Sequence, residues 1–220
     1  VTSFSYEDFK KLLEYLYSPD FKYSHRDEYL IAIHCRLRIG EVLGLTKKDV
    51  DFEKGILHIK RTATNDKEGH AILGIRTKTP SGERDIVLNE LTEPVLIHAI
   101  EHMKPNENDL LFPNPNGNVY TDSALNSCLK RICAKIGIID NAHNHKLRHS
   151  YSTNIYSAGT DYKVMEQTLG HSDIRMTLDR YTDLPLEIQK KELQKYVDRV
   201  KMELGDSINK YTKEEKSSKP

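Results

Sequence analysis

Tryptophan is absent from the 220 residues, and cysteine occurs only at Cys35, Cys128 and Cys133. An odd count without a Cys-x-x-Cys pair argues against a disulfide framework or a thiolate zinc site. Reduced, buried thiols are expected instead. No apolar run approaches the roughly 18 residues that a membrane-spanning helix needs. No basic segment followed by an apolar stretch opens the chain, so nothing indicates a secretory leader, and the expected setting is the cytoplasm. The first residue is Val1 rather than Met, as in a piece of a longer protein. Net charge is missing too, since 33 Lys and Arg balance 33 Asp and Glu. Bulk charge alone therefore gives no footprint of a nucleic-acid binder. Its distribution is less even. Lys22 to Arg84 carries 13 basic residues against 9 acidic ones, and Asp85 to Tyr120 carries 1 against 6. A neutral molecule can thus still present a basic face, although charge by itself does not separate this from an ordinary solvated surface.

What is present is mostly helical pattern. Ser5 caps a stripe of Phe9, Leu12, Leu13 and Leu16 that ends before Pro19. A second helix is expected through Asp27–Leu45; its nearly continuous apolar start, Tyr29 to Ile33, marks it as central. Three strands follow, Gly55–Lys60, Ala71–Arg76 and Arg84–Leu88. The turns Asn65–Gly69 and Pro80–Gly82 join them into an antiparallel meander. Further helices are expected over Leu91–Met103, from the Thr121 cap to Gly137, and over Leu184–Met202. The fold class is therefore α+β, mainly helical, with a small three-stranded antiparallel sheet. One domain is expected over 1–203, followed by a polar, disordered tail over 204–220.

The segment from His145 to Tyr181 concentrates the chemistry. His145 and Arg148 stand three apart, on one face of a helix. Gly170-His171-Ser172 reads as a helix break and a new cap. Tyr181 comes ten residues after His171, near the end of the next helix. A guanidinium is a fixed fork of donors that suits a phosphate. Imidazoles donate hydrogen bonds or move protons near neutral pH, and a phenol can attack phosphorus and stay bonded to it. Together these imply phosphoryl transfer with a tyrosine nucleophile. Arg38 is a further candidate, since an arginine in an apolar setting needs a partner. That partner is either Glu41, three residues on, or a phosphate. Lys78, at a hairpin tip, reads on its own as solvated.

Taken in order, Cys35-Arg36-Leu37-Arg38-Ile39-Gly40-Glu41, Lys78 ahead of Arg84-Asp85-Ile86-Val87-Leu88, His145-Lys146-Leu147-Arg148-His149, Leu169-Gly170-His171-Ser172 and Arg180-Tyr181 closely resemble the catalytic domain of the tyrosine recombinases, the phage integrase family. The resemblance runs from about Ser5 to Met202. Each motif is short, but five in order are specific. The resemblance implies site-specific DNA cleavage and rejoining for a mobile element or phage, through a 3′-phosphotyrosine. Tyr181 is then the nucleophile, Arg38 and Arg148 grip the non-bridging oxygens, and Lys78 is the general acid. His145 assists the phenol, His171 donates to the phosphate, and Glu41 orients the site from behind. No cofactor and no metal is implied, because cationic side chains supply the charge. Partners are double-stranded DNA, further copies in a tetramer, and N-terminal DNA-binding domains of a longer protein. Lys146 stands where the family usually has Asp, and Cys35-Arg36 where it often has Thr-Gly. A catalytically silent DNA-binding relative and a type IB topoisomerase-like enzyme are the alternatives. His98 and His102, four apart, read as surface residues. His149 reads as structural.

Overall fold

The computed structural model describes residues 3–66, 68–74, 83–139, 142–157 and 186–217, with side chains at 151–157, 186–189, 192 and 212–217 left aside. Its elements are α1 (Tyr6–Leu16), α2 (Arg26–His34), α3 (Ile39–Leu43), β1 (Val50–Asp51), β2 (Ile56–Ile59), β3 (Thr62–Asn65), β4 (Ala71–Gly74), β5 (Arg84–Val87), α4 (Glu93–Glu101), α5 (Asp122–Lys135), α6 (Asn144–Ser157) and α7 (Leu186–Ser217).

Helix α1 starts where the sequence places it. The Ser5 hydroxyl accepts from the Asp8 N–H at 3.1 Å, and Phe9, Leu12, Leu13 and Leu16 face inward. Helix α2 is the hub, with Tyr29, Leu30, Ile31, Ala32 and Ile33 fully buried. It packs on α3, α4 and α6. Tyr29 donates to the Leu125 carbonyl of α5 at 2.7 Å, which satisfies a phenol that would otherwise be stranded in the core. Cys35, Cys128 and Cys133 are buried and free, as their number implied.

Three expectations need correction. The long helix drawn through Asp27–Leu45 is two helices, because the chain leaves helical geometry between His34 and Ile39 and Arg36 adopts a left-handed φ of 51°. The three-stranded sheet exists, but its order is β1-β2-β5, and Ala71–Gly74 is not in it. That strand instead pairs with β3 in a separate hairpin, Thr62 opposite Gly74 and Asn65 opposite Ala71. The stretch from 204 is not a disordered tail over its described part. Helix α7 continues to Ser217, and Leu204, Ile208 and Tyr211 are buried at a spacing that keeps one face inward.

Two contacts position the site. Gly40 lies flush against β3, where a β-carbon would fall 2.6 Å from the Ala63 carbonyl oxygen and 2.7 Å from the Thr62 Oγ1. Helix α3 and the β3–β4 hairpin are thereby held face to face. At the other end, α6 begins on a clamp: the Asn144 N–H donates to Asn126 Oδ1 at 2.8 Å, and its amide nitrogen donates to Asp122 Oδ1 at 2.9 Å. Among the described residues no helix is long and apolar enough to cross a membrane.

Candidate active site

The break between α2 and α3 delivers Arg38 to the first position before α3. One turn on, the Glu41 carboxylate reaches back, accepting from the Arg38 N–H at 2.9 Å and from its guanidinium at 3.2 Å. The i, i+3 pairing foreseen from the sequence is real, yet it accounts for only part of what Glu41 holds. Arg84, the first residue of β5, grips the same carboxylate with both terminal nitrogens, each at 3.0 Å. Arg148 of α6 brings a third guanidinium to 3.8 Å. Glu41 is 3% exposed at its side chain and Arg148 5%, whereas Arg38 is 49% exposed.

Three guanidiniums thus share one carboxylate. Burial alone would raise the Glu41 carboxyl. The bonds and charge of Arg84, the Arg38 N–H and the charge of Arg148 outweigh it and hold the carboxyl below its ordinary range. Arg148 moves the other way. Burial first, then repulsion from Arg38 and Arg84, pushes it down to about 10, with Glu41 opposing. It stays cationic at neutral pH. A guanidinium's donors suit an anion, and Arg38, half in solvent at the mouth, marks the open side.

His145 lies exposed in the first turn of α6, one turn ahead of Arg148. His149 is partly buried, and its imidazole is held below its ordinary pKa by burial and by the charges of Arg36 and Arg148. Lys146, at the departure from the family pattern, is buried with its ammonium 5.5 Å above the Phe4 ring. Lys78, His171 and Tyr181 lie outside the described residues. The structure therefore brings together Arg38, Glu41 and Arg148 and places His145 on the same helix as Arg148.

Arg84 and Arg36 were missed as members of this cluster. Arg84 is 43 residues from Glu41, and only strand pairing carries it there: Arg84 stands opposite Ile59 at the end of β2. Among the described residues the one grouping of metal-type ligands is Asp66, Glu68 and His70, at the β3–β4 turn. There Asp66 Oδ1 caps the Glu68 and His70 N–H groups at 2.9 and 2.8 Å, which is turn chemistry.

A profile described as "Phage integrase family" matches residues 3–187. The chain belongs to the phage integrase family. Among curated relatives, the "Transposase from transposon Tn916" of Enterococcus faecalis is 29% identical over 206 residues, covering 86% of this chain and 49% of that protein. A "Tyrosine recombinase XerC-like" protein of Caldanaerobacter subterraneus subsp. tengcongensis is 28% identical over 201 residues, covering 83% of this chain and 50% of that protein. The chain thus spans about half the length of these integrase-family relatives. In fold it is similar to the Tn1549 transposon integrase solved in complex with circular intermediate DNA (TM-score 0.67, 24% identity, 91% of this chain and 67% of that one). It is also similar to the XerA recombinase (TM-score 0.62, 21% identity, 89% and 65%). The mainly helical α+β class with small antiparallel sheets is that of the integrase-family catalytic domain.

Proposed function

We propose that this chain is the catalytic domain of a site-specific DNA recombinase of a mobile element, working in the cytoplasm on double-stranded DNA. The observation that carries the reading is the trio Arg38, Arg84 and Arg148 on the single carboxylate of Glu41. Guanidiniums converging on one half-open site suit an anion, and the phosphodiester is the anion that the chain's other candidate residues can process.

In this reading the Tyr181 oxygen attacks phosphorus, a phosphorus–tyrosine oxygen bond forms, and the bond to the 5′ oxygen breaks. Lys78 gives its proton to that leaving oxygen, a transfer worth about 10²–10⁴-fold. Arg38 and Arg148 face the two non-bridging oxygens, where charge grows, and Glu41 fixes their angle. A phenol has a pKa near 10, so the phenolic proton needs a receiver; His145 takes it or orients the ring, and His171 donates to the phosphate. The phosphotyrosine keeps the bond energy of the broken strand. A 5′ hydroxyl from a second duplex can then displace the tyrosine without any nucleotide cofactor. Strand exchange by this route needs several active sites on one DNA assembly, so a tetramer on DNA and additional N-terminal DNA-binding domains in the full-length protein belong to the proposal.

The test is a nicked suicide duplex built from the joined ends of the element that encodes the chain. Wild-type protein is expected to become covalently linked to it, and Tyr181→Phe to give no adduct. An adduct that persists in Tyr181→Phe removes the nucleophile assignment; wild-type protein that binds but never links supports a silent DNA-binding relative.

A further inference from the structure

Directly behind the arginine cluster stands a residue whose placement is costly in three ways. Arg36 has a φ of 51°, in the left-handed region that a side chain with a β-carbon seldom enters. It is 1% exposed, the largest fully buried side chain among the described residues. And it carries a charge, close enough to His149 to help push that imidazole toward its neutral form. If the position needed only filling, an apolar side chain on an unstrained backbone would do it at lower cost. Strain and buried charge kept together point to a task.

The bonds identify the task. The Arg148 Nη1 donates to the Arg36 carbonyl at 2.9 Å, and the Arg36 Nε donates to the Arg148 carbonyl at 3.4 Å. Each arginine thus holds the other's backbone across 112 residues of sequence. The left-handed turn at Arg36 is what aims its carbonyl at α6, and two residues later the same turn releases Arg38 to the mouth of the site. One short segment therefore sets both arginines relative to each other.

We propose that Arg36 is a positioning residue for Arg148, fixing the guanidinium of α6 at the angle from which it meets the scissile phosphate. The inference rests on the reading of Arg148 given above. Arg36 does not touch the DNA; it acts through Arg148.

Two variants separate positioning from packing. Arg36→Gly keeps the left-handed turn and removes the side chain. Arg36→Met keeps most of the buried volume and removes the guanidinium. The first readout needs no DNA: in arginine-¹⁵N-labelled protein, the Arg148 side-chain N–H signal, assigned with Arg148→Lys, is expected to be sharp and slow to exchange in wild type. Both variants are expected to broaden it. The second readout is single-turnover linkage to the nicked duplex at saturating concentration, alongside affinity for the same duplex. Linkage is expected to fall by about 10²-fold, the cost of small misplacement of a reacting group, with affinity unchanged. An Arg148 signal that stays sharp, or linkage at the wild-type rate in both variants, overturns the proposal. So does loss of folding in both, which would assign Arg36 to packing alone. Wild-type protein that never links, with the Arg148 signal still broadened in Arg36→Gly, sinks the recombinase reading and leaves the positioning role standing.

Discussion

Two buried polar regions flank α2, and they are built on opposite rules. Behind its C-terminal end lies the arginine cluster, with three guanidiniums on one carboxylate. Along its side, against α7, lies a network of paired donors and acceptors. His34 takes Tyr17 on Nε2 at 2.8 Å and Tyr196 on Nδ1 at 3.1 Å. Farther along, Asp27 accepts from Tyr211 at 3.2 Å and pairs with the His98 Nδ1 at 2.6 Å. In the second region donors and acceptors close on one another, and burial holds the His34 imidazole neutral by pushing it down to about 3. In the first, three cations converge on one carboxylate. A closed polar network specifies packing, whereas cations converging in a half-open site suit a ligand of opposite sign.

The largest expected effect attacks the charged region at its hinge. Glu41→Ala leaves three guanidiniums without their shared anion and should cost about 3–5 kcal/mol, the usual result of removing one partner from a buried ion pair. Chemical denaturation of the variant checks this; a loss below 1 kcal/mol would mean that the arginines repel one another far less than their placement implies. Next, Arg148→Ala should slow covalent linkage to DNA by about 10²–10³-fold, as loss of one donor to a developing oxyanion does, measured in a single turnover. Gly40→Ala drives a β-carbon into the Ala63 carbonyl and the Thr62 hydroxyl. It should cost about 1–3 kcal/mol of stability by overpacking, seen as a lower denaturation midpoint.

Acid separates the two regions. Both His34 and Glu41 have folded-state pKa values below their unfolded ones. Each therefore contributes stability that is complete above the unfolded pKa and drains away as pH falls toward the folded one. For His34 that window opens near 6.5 and runs toward about 3, with a slope of at most about 1.4 kcal/mol per pH unit. For Glu41 it opens only in the carboxylate range. A stability profile should thus start to fall near pH 6.5 in wild type. In His34→Gln the fall below pH 6.5 should be much shallower, leaving the share of His149; a profile unchanged by that substitution would break the assignment. The smallest effect is Tyr196→Phe, which removes the hydrogen bond to His34 for about 0.5–1.5 kcal/mol and should leave DNA linkage at the wild-type rate.

Local signals in the sequence were reliable where the answer is local. The α1 stripe, the Ser5 and Thr121 caps and the Arg38–Glu41 pair are settled within a few residues, and the structure has them. The break after His34 was hidden because no Gly or Pro marks it; the left-handed residue is an arginine. Strand β3 escaped notice because Thr-Ala-Thr-Asn has no apolar alternation, so Ala71–Gly74 was given the wrong neighbours. The inward face of α7 beyond Met202 was obscured by Gly205 and by the Lys and Glu that surround Leu204, Ile208 and Tyr211. In the site, Arg84 reaches Glu41 only through strand pairing, and Arg36 reaches α6 only through the turn it makes. Neither relation leaves a spacing to find.

Helix α7 has a consequence beyond covering the core. It fastens α2 at two points, through Tyr211 at Asp27 and through Tyr196 at His34, and His34 stands only two residues ahead of Arg36. The C-terminal strap and the arginine platform therefore share a foundation. Shortening the chain before Tyr196 would not trim an ornament; it would loosen the ground on which the phosphate-gripping pair is set.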